Sequence, residues 1–322
     1  MGAQHNPSDS MMSLAELTET VHVDCNLCRH DDAKYICHVN AIALVRCRHC
    51  GLYYLNPRPS SEALRRMYAS TYYPPTADLK KRSEELWGPE LPWTWASMAL
   101  FTDVAKHLQT LKPGGRALDV GCGYGIFLKV LADHGFVVKG VDMSELAVRY
   151  ATQELGLDVS QTWLEEAAFA DGSFDIVTMN GVAEHLEDPL RTFREVNRVL
   201  TVGGIFSVTA PNVLFGLPLV YAHKMLRGNM VSSSTIRTAI FDAPRHLYFF
   251  TPKTLGKLLE EAGFEVVSVY NCVPIKNPSR GWTVVKQASW HVANIISRLS
   301  GGSLVLGNAI AIYARKRSEA RR

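Results

Sequence analysis

From residue 112 onward the chain alternates two kinds of apolar spacing. Residues 116–120, 137–141, 174–179, 205–209 and 265–270 are short apolar runs bounded by Gly, Asp or Pro, and they predict strands. Residues 126–134, 144–155, 189–200 and 251–262 repeat apolar side chains at three- and four-residue intervals and predict helices. A last strand-like run spans 304–314. Strands alternating with helices imply a parallel sheet covered on both faces, an α/β fold. Upstream, 60–68 predicts a short helix with Ser60 or Ser61 as cap, broken at 72–75 by Tyr72, Tyr73, Pro74 and Pro75. A further helix over 94–111 sets Ala99, Val104 and Leu108 roughly on one face. Two segments interrupt the alternation, 213–245 and 272–303, and both are too long for simple connections. Their apolar residues (Phe215, Leu217, Leu219, Val220, Tyr221 and Phe241, then Trp282, Trp290 and Ile295) either cover the core or form a cap over a pocket.

Composition adds bounds. Of 322 residues, 47% are hydrophobic and 20% charged, enough apolar surface to offset ordering entropy, so disorder as the main state is excluded. Lys and Arg number 34 against 31 Asp and Glu, and a net charge of +3 does not call for a nucleic-acid partner. Residues 1–13 show no basic segment followed by an apolar one, so no leader is expected. The longest stretch without Lys, Arg, Asp or Glu, 199–223, is interrupted by Gly203, Gly204, Pro211, Asn212, Gly216 and Pro218, and no transmembrane segment is expected. The reading is a cytoplasmic protein.

The seven cysteines are unevenly spread. Cys25-x2-Cys28 and Cys47-x2-Cys50 lie within 26 residues, with two β-rich runs at 35–39 and 41–45 meeting at Asn40. Two such turns joined by a hairpin point four thiolates at one ion, the signature of a zinc ribbon. Gly51 follows the second turn, where the backbone often needs positive φ. An iron–sulfur cluster or four buried free thiols are the alternatives. Four sulfurs close the site, so its expected role is structural, and the nearby His22, His30, His38 and His49 need no part in it.

A second motif follows the first α/β strand: Asp119, Val120, Gly121, Cys122, Gly123, Tyr124, Gly125. Glycines there let the backbone turn sharply and approach a ligand. The spacing is G-x-G-x-G rather than that of dinucleotide enzymes. A carboxylate two residues before the first glycine repels a pyrophosphate and suits an ammonium group. The next strand ends in Asp142 and Met143, and a carboxylate at that tip can take both hydroxyls of a ribose. The pattern favours a nucleoside carrying an amino acid.

LDVGCGYG at 118–125, VDMS at 141–144, FDIVTMNGVAEHLEDP at 174–189 and GGIFSVTAPN at 203–212 resemble the successive motifs of class I S-adenosylmethionine (SAM) dependent methyltransferases. The resemblance implies a Rossmann-like seven-stranded sheet with a final antiparallel strand. It assigns the methionine end of SAM to Asp119, Gly121 and Gly123, with Cys122, Tyr124 and Gly125 in the same loop. It assigns the ribose to Asp142 beside Met143, the adenine to the Thr162, Trp163 and Leu164 segment, and the methionine side of the fourth strand to Asn180 and Gly181. The four-cysteine unit followed by CRHCGLYYLNPRP at 47–59 resembles a subgroup that includes nucleotide-sugar and other biosynthetic-cluster methyltransferases. The expected division is a mobile tail at 1–20, a zinc-ribbon unit at 21–56, a helical linker at 57–111, a methyltransferase domain at 112–315 with 213–245 and 272–303 as cap insertions, and a basic tail at 316–322.

Methyl transfer to a hydroxyl or an acidic carbon needs a base for the departing proton, and histidine suits neutral pH. His246, in the segment from Arg245 to Thr251, is the first candidate, and His185 the second. Tyr124 and Tyr248 either pack or meet ligand; Arg245 either pairs with an acceptor phosphate or faces solvent. The expected activity is methyl transfer from SAM to a small biosynthetic acceptor (a natural product, sugar or lipid-like molecule), at oxygen first and carbon second. The rivals are an RNA methyltransferase gripping RNA with the ribbon, disfavoured because the ribbon lacks a basic stripe, and a SAM-binding protein without turnover.

Overall fold

The computed structural model of the chain describes residues 19–39, 42–70, 93–227, 230–231, 243–271 and 307–317, with isolated positions between 292 and 305. Expectations for the tail before residue 19, Asn40, residues 72–75, Phe241, Trp282, Trp290 and the end after 317 lie outside these residues.

In chain order the first elements are β1 (Thr20–Val21), β2 (Ala33–Val39), β3 (Ile42–Cys47), β4 (Tyr53–Leu55), β5 (Arg58–Pro59), α1 (Ser61–Ser70) and α2 (Trp93–Leu111). The second half brings β6 (Arg116–Val120), α3 (Ile126–Asp133), β7 (Val137–Asp142), α4 (Glu145–Gln153), β8 (Val159–Gln161) and β9 (Phe174–Asn180). Then come α5 (Pro189–Val199), β10 (Leu200–Pro211), α6 (Val213–Arg227), β11 (Met230–Val231), β12 (Tyr248–Phe249), α7 (Pro252–Glu261), β13 (Phe264–Asn271) and β14 (Ala309–Lys316).

The α/β half forms one seven-stranded sheet in the order β13-β14-β10-β9-β6-β7-β8. Its strands from β10 to β8 run parallel, while β14 is antiparallel to both β10 and β13. The Rossmann-like sheet with a reversed strand is therefore present. Leu118, Ile176, Val177, Phe206, Val208 and Ile312 are buried completely, so the sheet centre is covered on both faces. Chain order reverses between β6 and β9, and α/β sheets open a crevice beyond the carboxyl ends of the strands at such a point.

Two expectations about element extent change. The strand placed at 205–209 runs from Leu200 to Pro211, with a register shift between Leu200 and Ile205. Gly204 permits that irregularity: a Cβ there would lie 2.8 Å from the carbonyl oxygen of Thr201. Residues 213–227, read as the start of a cap, form α6, with Pro218 inside it. Val213, Leu217 and Val220 bury one face of α6 against Ile36, Val39, Leu44 and Phe249.

That contact reaches the cysteine-rich segment. Its strands belong to a five-stranded sheet of order β11-β2-β3-β4-β12. The two outer strands come from far along the chain: β11 runs parallel to β2, and β12 antiparallel to β4. Cys25, Cys47, Leu52 and Tyr54 share a continuous apolar core with Leu118, Val177 and Leu247. The two sheets are thus joined by a core as well as by chain.

Candidate functional site

At the crevice, β6 leads into the glycine loop and α3. Gly125 stands at the helix N-cap with φ of +75°, and a Cβ there would lie 2.8 Å from Leu157 Cδ1 and 3.0 Å from Ala151 Cβ. Gly121, at φ +68°, is tighter: a Cβ would come 2.5 Å from Val182 Cγ2. Only glycine combines that backbone with that approach. The loop bends back onto the tip of β7, where Gly123 N donates to Asp142 Oδ2 at 2.7 Å and Ser144 N to Asp142 Oδ1 at 2.8 Å. Each carboxylate oxygen keeps a second lone-pair direction. Burial holds the Asp142 carboxyl above the usual range, and the Ser144 and Gly123 amides oppose this.

A cleft of about 210 Å³ opens here, lined by Gly121, Asp142, Met143, Trp163, Leu164, Asn180, Gly181 and His185 among others. Eight residues expected at the site thus meet around one space. Asp119, Cys122, Gly123, Tyr124 and Gly125 stand behind its wall rather than on it. Asp119 is buried, accepts from Thr178 Oγ1 at 2.6 Å, and is pushed up to about 7 chiefly by burial. Cys122 sits under Gly140, where a Cβ would lie 2.8 Å from its sulfur, and Tyr124 packs edge-on against Tyr150. Two lining residues, Trp163 and Asn180, carry buried donors, Nε1 and Nδ2, that find no hydrogen-bond partner among the described residues. A buried donor without a partner is costly, and a ligand in the cleft would supply an acceptor to either side chain once it turns toward that space. Two such donors, a pair of adjacent carboxyls and a glycine that cannot carry a Cβ fit an aminoacyl nucleoside.

His185 sits on the cleft wall and also lines a neighbouring cavity of about 230 Å³ with Leu64, Arg65, Trp163, Glu187 and Arg191. Its Nδ1 lies 3.0 Å from the Arg245 carbonyl oxygen, to which it donates, leaving Nε2 as the basic nitrogen. Burial, then the neighbouring His246, hold its pKa well below the usual imidazole range. His246, the first candidate from sequence, is buried behind it with ring centroids 4.7 Å apart and lines neither cavity.

Glu184 was not anticipated. It is 3% exposed, its Oε1 lies 4.0 Å from His185 Nε2, and its Oε2 is buried without a hydrogen-bond partner among the described residues. Burial pushes its carboxyl up to about 8. Glu184, His185 and His246 bring one potential ligand or proton-carrying atom each within 4.8 Å of one another. The signal was the Glu184-His185 pair after β9, but nothing in the spacing said that the carboxyl turns inward. Tyr248 and Arg245 also resolve: Arg58 Nη1 donates to Tyr248 Oη at 2.7 Å, Tyr248 Oη donates to the Glu187 carbonyl at 3.1 Å, and Arg245 serves His185 through its carbonyl.

The four cysteines Cys25, Cys28, Cys47 and Cys50 also meet. All four sulfurs lie within 4.8 Å of one another, with Cys25–Cys50 at 3.4 Å and Cys28–Cys47 at 3.5 Å. Tetrahedral zinc with bonds of about 2.3 Å separates its sulfurs by about 3.8 Å, so the arrangement fits one such ion. The two turns are built alike. Arg29 N bonds Cys25 O at 2.8 Å, and Gly51 N bonds Cys47 O at 3.1 Å. Both residues take positive φ, +60° at Arg29 and +82° at Gly51, so the position anticipated for Gly51 recurs at a non-glycine residue in the first turn.

Sheet topology and cleft together define a Rossmann-like α/β fold with a ligand-sized crevice at its switch point. The chain belongs to the methyltransferase-domain family, whose model matches residues 93–269. Among curated proteins it is similar to 2-methyl-6-phytyl-1,4-hydroquinone methyltransferase of Synechocystis, 40% identical over 31% of this chain and 33% of that protein. It is also similar to ubiquinone biosynthesis O-methyltransferase of Ralstonia nicotianae, 35% identical over 44% of this chain and 63% of that protein. The chain thus spans a third of the first relative and under two thirds of the second. Among solved structures, the [4+2]-cyclase SpnF matches with TM-score 0.45 at 24% identity over 67% of this chain and 79% of that one. A SAM-dependent methyltransferase of Mesorhizobium loti matches with TM-score 0.47 at 18% identity over 68% and 99%. Among the described residues no helix is long and apolar enough to cross a membrane.

Proposed function

We propose that the protein methylates a small biosynthetic acceptor, at a hydroxyl oxygen, using SAM as donor. The observation that carries this reading is the cleft with His185 on its wall and with Trp163 and Asn180 in its lining, whose buried donors Nε1 and Nδ2 have no partner among the described residues. Bound SAM supplies a methyl group already activated on a sulfonium. The residues hold it as follows. Asp142 receives the ribose hydroxyls, Trp163 and Leu164 flank the adenine, and Gly121, Asn180 and Gly181 admit the methionine end. Asp119, behind the loop and pushed up to about 7 chiefly by burial, gives up its proton when the ammonium group arrives and then supplies negative charge toward it.

What remains for the protein is alignment and one proton. His185 is the proposed base: neutral at neutral pH, with Nδ1 donating to the Arg245 carbonyl at 3.0 Å and Nε2 basic. The adjoining cavity, bounded by Leu64 and Arg65 of α1, is the proposed acceptor side. Similarity to two curated methyltransferases of quinone-type biosynthesis, one of them an O-methyltransferase, supports a small acceptor and oxygen as the target. The four-cysteine site is proposed to hold structural zinc. Calorimetric titration with SAM, followed by product mass analysis with a panel of phenols, catechols and nucleotide sugars, tests the reading. Absence of SAM binding sinks it.

A further inference from the structure

The four-cysteine unit is joined to the cleft by more than a shared core. Asn26 lies inside the first cysteine turn and is 3% exposed. Its Nδ2 donates to Asp188 Oδ1 at 2.8 Å, and its Oδ1 accepts from Leu190 N at 3.1 Å. Those partners are the beginning of α5. A helix start leaves its first amides without intrahelical acceptors. Here Pro189 has no N–H, Arg191 N is capped by Asp188 Oδ1 at 2.9 Å, and Asn26 takes the remaining Leu190 N. Arg29, just past Cys28, reaches Asp188 Oδ2 at 3.5 Å. His185 is three residues before Asp188, and Leu186 and Asp188 themselves line the cavities at the site.

We infer that Asn26 is a positioning residue for the proposed base: it carries the rigidity of the cysteine turn into the loop from His185 to Leu190. The inference rests on the reading of His185 given above. Its chemistry is specific. The site asks one buried side chain to donate to a partly exposed carboxylate and accept from a buried amide. Asparagine does both; aspartate lacks the donor and sets two carboxylates face to face; serine is too short to span the pair. A site of four thiolates folds its turn only with the ion bound. The loop bearing His185 therefore depends on metal loading through Asn26, although none of the four cysteines lines the cleft.

The test uses the full-length, zinc-loaded protein and three variants, Asn26→Asp, the exchanged pair Asn26→Asp with Asp188→Asn, and Asn26→Ser. Hydrogen exchange over 186–193 and the pH titration of the His185 imidazole by NMR need no acceptor. Losing a charged hydrogen bond should speed exchange over 186–193 by about tenfold or more in Asn26→Asp. The His185 titration should shift, while zinc content stays at wild type and SAM affinity changes by less than about twofold, too little for a lost hydrogen bond. The exchanged pair, which restores a donor facing a carboxylate, should return both readouts toward wild type. Unchanged exchange, an unmoved His185 titration, or no recovery in the pair overturns the inference. Should Asn26→Asp not fold, Asn26→Ser is read by the same two criteria. A wild-type protein that ignores SAM defeats the proposed function but leaves the exchange measurement interpretable.

Discussion

Gly121→Ala isolates the tightest demand in the cleft. The new methyl carbon would stand 2.5 Å from Val182 Cγ2 and 3.1 Å from Cγ1, on a backbone at φ +68°. Two costs are separable. Holding an L-residue in the left-handed region costs about 1–2 kcal/mol, and forcing a methyl into occupied space costs about 1–3 kcal/mol more. Val182 also lines the cleft, so relief of the clash narrows the space meant for the methionine end. SAM affinity should fall by about 1–3 kcal/mol, roughly 5- to 150-fold. Val182→Ala removes both offending methyls. In the double variant the steric part should return and the conformational part should remain, giving a coupling energy of about 1–3 kcal/mol in both urea unfolding and SAM titration. Additive losses in the double variant would show that Val182 is not the obstruction at Gly121.

Four further outcomes are expected. Asp142→Ala should weaken SAM binding by about 1–3 kcal/mol through loss of charged hydrogen bonds; calorimetry giving wild-type affinity would remove it from the site. Asp119, raised to about 7, and Glu184, raised to about 8, bind their protons more tightly folded than unfolded. Their contribution to stability should therefore fall as pH rises from about 4 to about 8 and level off above, the unfolded values lying near 4; urea midpoints that climb through this window after Glu184→Gln and Asp119→Asn controls are subtracted would contradict it. His185→Ala should retain SAM binding and lose about 10²–10⁴ in turnover, more than His246→Ala, with equal losses refuting the assignment of the wall position to His185. Cys47→Ser should lose zinc and melt the β2–β4 sheet together with its partners β11 and β12, visible as a lower urea midpoint of the whole chain; zinc loss with an unchanged midpoint would refute the shared core.

What could be read along the chain was whatever repeats locally. The alternation of strand and helix from residue 116 to 271 follows from side-chain periodicity, and the glycine loop with Asp142 follows from a turn and a strand tip only 17 residues apart. Of these, Gly121 and Asp142 line one cleft, while Gly123 and Gly125 stand behind its wall. The four-cysteine unit was legible as two turns, but its sheet was not, since β11 and β12 are two residues each and pair with strands some 190 residues earlier. No local pattern announces a bond of that separation. The same limit explains the histidines. Beside their motifs His246 ranks ahead of His185. They differ only through long-range bonds: Leu247 N to Glu184 O at 2.7 Å and Leu55 N to Leu247 O at 3.0 Å draw His246 inward, while Asn26 caps the helix that follows His185. Each of these bonds has one end in or beside the cysteine-bearing sheet or at its β12 edge. The long-range bonds around the four-cysteine unit thus set His185 on the cleft wall and His246 behind it, the reverse of the order that motif proximity suggests, and they are why the proposed ion's loading should be visible at His185.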